Sequence, residues 1–183
     1  MIVEKALELG QRLGSKDAKV ADLGTGSGAI AIALARSNPG WHITAVDISK
    51  GALQLAQLNA QEQQANNIEF SLASWCDGLA ANQYDMIAAN PPYVQLGDNY
   101  LEKGVLLFEP KIALITDSAG LGSLRRIICQ SKRVLKKGAW LLLEHGFNQQ
   151  DSLKALLLKE GFDSVLGYKD YAGNDRMVCA HWS

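Results

Sequence analysis

The segment of this chain best equipped for chemistry is Asn90-Pro91-Pro92-Tyr93. It ends the apolar run Tyr84-Asp85-Met86-Ile87-Ala88-Ala89, and two consecutive prolines can neither extend a strand nor enter a helix interior. The backbone is therefore stiffened, and stripped of two N–H donors, where a strand delivers an asparagine to its edge. Acceptors dominate: the side-chain oxygen of Asn90 and the carbonyl of Pro91 can each take one hydrogen of an NH2 group, with the Tyr93 ring alongside to stack on a flat amide or base. Such a cluster suits a planar nitrogen held for alkylation. A plain strand-ending turn would contain the same prolines, so the segment decides nothing by itself.

Upstream, residues 18 to 28 read Ala-Lys-Val-Ala-Asp-Leu-Gly-Thr-Gly-Ser-Gly, a short strand followed by a glycine-rich turn, and a helix begins at Ala29-Ile30-Ala31-Ile32. Gly24, Gly26 and Gly28 permit a tight turn and let a ligand lie against backbone at the start of that helix. The next strand, His42 to Val46, delivers Asp47, about 20 residues past the last glycine, where an acid that binds ribose hydroxyls is expected. Gly24-x-Gly26-x-x-Ala29 with Asp47 also satisfies a dinucleotide fingerprint. The turn thus points to an adenosine-containing cofactor without choosing one. A dehydrogenase would place a proton donor or acceptor near a nicotinamide, whereas the fourth strand ends in acceptors for an NH2.

Glycine turn, acid after the second strand and Asn-Pro-Pro-Tyr after the fourth, in that order, resemble the class I S-adenosylmethionine-dependent methyltransferases that act on a planar NH2. Within that class, residues 18 to 182 are similar to the catalytic domain of the release factor glutamine methyltransferases. Further points of likeness are Asp22-Leu23-Gly24, Val46-Asp47-Ile48-Ser49, Phe108-Glu109-Pro110, Leu143-Glu144 with Gly146, and Asp170 with Gly173, Arg176 and Val178. The resemblance implies methyl transfer from S-adenosyl-L-methionine, leaving S-adenosyl-L-homocysteine, to the side-chain amide nitrogen of the glutamine in the Gly-Gly-Gln motif of peptide-chain release factors. It implies cofactor contacts at Gly24, Thr25, Gly26, Ser27, Gly28, Asp47, Asn90 and Trp75, the last beside the adenine. Substrate contacts fall on Asn90, Pro91, Pro92 and Tyr93, with Asn90, Pro91 and Tyr93 closest to the chemistry, and no metal. The chain departs from the family at Ser74, which precedes Trp75 where an acid is usual. It also starts inside the helix that should lead into the catalytic fold, so a single catalytic domain over residues 1–183, without the family's helical N-terminal domain, is expected.

The elements that must position these residues follow from apolar periodicity. Strands are expected near 18–23, 42–46, 67–72, 84–89, 138–144, 162–168 and 176–182, and helices over 2–13, 28–36, 49–63, 119–136 and 149–160. This alternation predicts an α/β fold, a doubly wound, mostly parallel seven-stranded sheet of Rossmann-like type. The last two strands lack a helical spacer and should form an antiparallel edge hairpin closed by Asp170 to Asn174. Tyr93 to Lys111 is the one long irregular segment, a length usually kept for function.

Composition sets bounds. A chain of 183 residues with 48% hydrophobic content supports one full core, and no apolar stretch approaches the ~20 residues of a membrane span. Cys76, Cys129 and Cys179 are odd in number and widely spaced, as for buried or semi-buried thiols of a reducing, cytoplasmic compartment. The cations Arg125, Arg126, Lys132, Arg133, Lys136 and Lys137 read as the solvated face of one helix. With 18 basic against 19 acidic residues, no nucleic-acid surface is expected. His145, beside Glu144 at a strand end, is expected to hydrogen-bond locally rather than to serve as a base. Three other readings remain: an exocyclic-amine methyltransferase such as an N6-adenine enzyme, which would need a basic channel for a flipped base; a ribosomal-protein glutamine methyltransferase; and a cofactor-binding module without activity, against which the intact Asp47 and Asn90 argue.

Overall fold

Val20, Ala21, Ala45 and Val46 are completely buried, as is the whole run Met86-Ile87-Ala88-Ala89, a condition met only by strands of a sheet covered on both faces. In the computed structural model, which describes residues 1–92 and 121–183, the order is α1 (Ile2–Leu13), β1 (Lys19–Leu23), α2 (Ala29–Ser37), β2 (His42–Asp47), α3 (Lys50–Glu62), β3 (Ile68–Leu72) and β4 (Tyr84–Ala89). After residue 120 follow α4 (Gly122–Val134), β5 (Leu135–Glu144), α5 (Gln150–Lys159), β6 (Asp163–Lys169) and β7 (Asp175–Trp182). Among the described residues the strands form one sheet in the order β3-β2-β1-β4-β5-β7-β6. Pairing is parallel from β3 to β5, and β7 runs antiparallel to both β5 and β6.

One core lies where Leu9 of α1 and Leu34 of α2 meet Val20, Ile43 and Met86; the other lies where Ile127 of α4 and Leu157 of α5 meet Ile87, Leu141 and Leu143. Each fully buried leucine or isoleucine stabilises the fold by about 1.5–3 kcal/mol over leaving it exposed. The expected α/β class, the doubly wound mostly parallel sheet and the edge hairpin are all present. Two details differ from the sequence reading. α4 stops at Val134 and β5 begins at once with the fully buried Leu135, which pairs with Tyr84, so Lys136 and Lys137 are strand residues. Burying Leu135 outweighs the weak preference of two lysines for a helix end. The register then shifts between Tyr84 and Met86, with Gly138 at φ 83°, and the slack lets Lys136 reach Asp85 at 2.8 Å. Of the cysteines, Cys76 and Cys179 are buried, with thiols pushed up to about 12 by burial, but Cys129 is exposed. No described helix is long and apolar enough to cross a membrane.

The packing of α1 generates a prediction. A Cβ on Gly10 would overlap Cζ2 of the buried Trp41, a rigid ring that must shift to admit it. Gly10→Ala gains about 1 kcal/mol of helix propensity. Overpacking costs about 1–3 kcal/mol and should fall at the upper end here. We expect a net loss on the order of 1–2 kcal/mol, read as a lower urea midpoint; a stabilised variant would show that Trp41 is free to move.

Candidate active site

The register of the central strands brings three of the singled-out residues together. Leu23 at the end of β1 pairs with Val46 of β2 on one side and with Ala89 of β4 on the other. The next residues, Gly24, Asp47 and Asn90, therefore leave three adjacent strands at the same edge, about 5 Å apart per strand. This is also where the strand order reverses direction, the crevice in which open α/β sheets bind ligands. Asn90 is exposed, Pro91 is buried and Pro92 is partly buried, while Tyr93 and the segment to Lys111, with Phe108-Glu109-Pro110, lie outside the described residues.

The glycine turn is tied to β2 by its backbone. The N–H groups of Gly24 and Thr25 both donate to the carbonyl of Val46, at 2.8 and 2.9 Å. Gly24 has φ 70°, and a Cβ there would also press on Trp75, 3.2 Å from its Cζ3, so both conformation and space call for glycine. The same contact shows that Trp75 lies against the turn. Its own φ of 52° is unusual for a bulky residue, and the loop that imposes it is stapled to α4. Gln130 accepts from the Cys76 N–H at 3.1 Å, and Arg133 donates to the carbonyls of Cys76 and Leu79, both at 2.8 Å. The remaining cations of the basic run are also engaged: Arg126 with Asp77 at 3.1 Å, Lys132 with Glu160 at 2.6 Å, and Lys137 4.7 Å above the Trp182 ring. Arg125 is exposed, as a plain solvated face requires, and its charge helps to hold the Glu160 carboxyl below the usual range.

Asp47 accepts from the Gly26 N–H at 2.9 Å through Oδ2 and from the Ser49 N–H at 2.8 Å through Oδ1. Each oxygen keeps a further lone pair, enough for a pair of hydroxyls. Ser49 caps α3 through the Ala52 N–H. Ser27 is exposed, and its carbonyl accepts from Asn59 at 2.8 Å.

Sequence reasoning passed over Asp22 as a site residue. It is 1% exposed, and its Oδ2 accepts from the Thr25 hydroxyl at 2.6 Å and from the Ala31 N–H at 3.1 Å, while Oδ1 is buried with no partner among the described residues. Burial pushes its pKa up to about 6; the two hydrogen bonds oppose the shift and the nearby Asp47 adds to it. Thr25 thus acts inward, through Asp22. The signal was available: an acid between Val20-Ala21 and Leu23, in the apolar part of a strand, is a buried charge in want of a partner. An orphaned acidic oxygen beneath the turn, a carboxylate with spare lone pairs and a flat indole at its side form a donor set that fits a cationic adenosine derivative.

His145 is fully buried; its Nδ1–H donates to the Gly146 carbonyl at 2.9 Å, the local bond expected, and burial lowers its pKa. A cavity of about 540 Å3 lies along α2, lined by Ile32 and Arg36 with Gln63 after α3, and carries none of these groups.

Residues 7–108 match the family model described as the methyltransferase small domain. The chain is 39% identical over 182 residues to the release factor glutamine methyltransferase of Salmonella typhimurium, aligning 100% of its own length with 65% of that relative, so it spans less than two thirds of that protein. Among solved structures it is similar to the ribosomal protein L11 methylase of Lactobacillus delbrueckii subsp. bulgaricus, with a TM-score of 0.71, 20% identity and coverage of 100% of this chain and 77% of that one. It is also similar to magnesium protoporphyrin IX methyltransferase from Synechocystis PCC 6803, solved with bound S-adenosylmethionine, with a TM-score of 0.64, 19% identity and coverage of 99% and 78%.

Asp22 makes stability depend on pH. The unfolded chain releases this proton near 3.8 and the folded chain near about 6, so its contribution is complete below the lower value and is lost as pH rises through the upper one. Between pH 4 and pH 7 the parent should lose on the order of 2–3 kcal/mol relative to Asp22→Asn, which does not titrate. Urea midpoints of both proteins across that range are the measurement, and parallel curves would mean that Asp22 is ionised in the fold throughout.

Proposed function

Because the chain belongs to the methyltransferase small domain family, we propose that it transfers a methyl group from S-adenosyl-L-methionine to the side-chain amide nitrogen of a glutamine, that of the Gly-Gly-Gln motif in peptide-chain release factors. The observation that carries this reading is the common edge at which Gly24 and Asn90 leave paired strands, which supports a cofactor turn lying beside acceptors for an amide. The kinship to release factor glutamine methyltransferases along the whole of this chain supports the choice of substrate.

The bound cofactor supplies an electrophilic methyl on a sulfonium. Asp47 would hold the ribose hydroxyls with the lone pairs left free by Gly26 and Ser49, Trp75 would flank the adenine, and the Asp22 oxygen that has no partner among the described residues would favour positive charge near the glycine turn. Asn90 Oδ1 and the Pro91 carbonyl accept the two N–H bonds of the glutamine amide, and two prolines in succession leave no local N–H to compete for them. An amide lone pair is a weak nucleophile, so orientation carries the rate and can supply up to ~7–11 kcal/mol. The same acceptors bind more strongly as positive charge develops on nitrogen, and so favour the transition state over the ground state. The proton leaves to water afterwards.

Methylation of an exocyclic base amine is the less supported reading, because the cations of α4 and β5 are mostly engaged in ion pairs, carbonyl bonds and a ring contact. Two substitutions test the proposal. Asn90→Ala should lose about 2–4 kcal/mol of transition-state stabilisation, like deletion of an oxyanion-hole donor, with cofactor affinity little changed. Single-turnover methylation of a release factor at saturating cofactor measures this, and transfer at the parent rate would reduce the proline segment to a turn. Asp47→Ala should cost roughly 1–3 kcal/mol of cofactor binding by calorimetry. Tighter binding of NAD than of the sulfonium would defeat the cofactor assignment.

A further inference from the structure

Phe147 is 67% exposed and Tyr171 is 95% exposed, and both stand at the edge of the sheet that carries Asn90. Phe147 follows the end of β5, the strand next to β4, by three residues. Tyr171 sits in the turn between β6 and β7, which the pairing of Glu144 with Met177 places at the same edge. We propose that these two aromatics form a docking platform for the protein that carries the methyl-accepting glutamine, an inference that rests on the function proposed above.

Their seating argues for a surface built to be presented. The Tyr171 turn is closed by Asp170, whose Oδ1 accepts from the N–H groups of Ala172 and Asn174 at 3.0 and 2.9 Å, while the Gly173 N–H donates to the Asp170 carbonyl at 2.9 Å. Arg176 joins the two sites: its Nε meets Asp170 Oδ2 at 3.3 Å, and its Nη1 donates to the carbonyl of His145, two residues before Phe147, at 3.4 Å. On the other side, the Gly146 N–H donates to Gln149 Oε1 at 2.8 Å. The Tyr171 hydroxyl donates to Glu4 of α1 at 3.3 Å, which restrains the ring while leaving its faces open. The Tyr171 ring so held loses little conformational freedom on binding, Phe147 rises from a backbone fixed at His145 and Gly146, and exposed aromatics on such a frame are what protein interfaces favour.

Magnitudes select the occupant. Measured from β4, the end of β5 is one strand spacing away and the β6–β7 turn between two and three, a lateral distance of about 5 to 12 Å. An ordinary protein interface covers ~800 Å2 on each partner, a disc of about 16 Å radius. A protein that brings a glutamine to Asn90 therefore covers both rings, whereas an amino acid or short peptide in the same place leaves them in water. The two rings are uncharged, the acids Glu4 and Asp170 stand beside Tyr171, and Arg176 beneath them is bonded to Asp170 and the His145 carbonyl, a setting that suits a protein surface better than a phosphate backbone.

The test compares the parent with Phe147→Ala, Tyr171→Ala and Tyr171→Phe, using an intact release factor and a hexapeptide containing Gly-Gly-Gln. Each alanine variant should raise KM for the release factor at least about fivefold, the scale of truncating an interface anchor, with kcat and cofactor affinity unchanged. Tyr171→Phe should restore most of the loss, and the hexapeptide should be turned over alike by all four proteins. Unchanged KM in both alanine variants, with a parent that methylates the release factor, overturns the platform. An equal loss on the hexapeptide overturns it too, since the damage would then lie in the site, and so does a self-association of the parent abolished by both variants, which would give the surface to a second copy. Failure of the parent itself to methylate the release factor would strike the proposed function instead.

Discussion

A parallel strand sealed on both faces has no side on which to present polar groups, so whatever chemistry it carries must appear where it ends. β1, β2 and β4 are under this constraint: their inward residues are buried on both sides, and their ends stay level because Leu23 is in register with Val46 and with Ala89. Gly24, Asp47 and Asn90 are then neighbours by necessity. A slip of one residue in β4 would turn Asn90 towards the opposite face and set Ala89 in its place beside Gly24.

Polar demand at that edge is met unevenly. Asp47 is bound by two backbone N–H groups and keeps lone pairs to spare, whereas Asp22, one strand away and beneath the turn, is sealed from water with one oxygen unserved among the described residues. The two carboxylates thus differ in character through burial more than through chemistry. The shielded one holds a proton well above the usual aspartate range, and a cation delivered to that place would be matched by releasing it.

The side of the crevice opposite β4 depends on the far half of the chain. Trp75 leans on Gly24 because Arg126, Gln130 and Arg133 of α4 grip the loop behind it, and a solvated Arg126–Asp77 pair contributes little beside the two carbonyl bonds of Arg133. The other flank is built on similar lines, with Arg176 linking the end of β5 to the β6–β7 turn.

The elements and their order were legible because strands of buried residues and helices of amphipathic period write their geometry into consecutive side chains. α1 lies over Ile2–Leu13 and β4 over Tyr84–Ala89, as the periodicity predicts. Gly24, Asp47 and Asn90 were likewise visible, since residue type and distance from a strand are local properties. Long-range matters were not. The seat of Trp75, the partners of Arg133 and Lys136, and the early start of β5 at Leu135 each depend on residues about 50 or more positions away. The protonation of Asp22 depends on how completely neighbouring strands and α2 exclude water. Periodicity determines which residues turn inward, but only tertiary packing decides what each one meets there, and a buried charge takes its properties from what it meets.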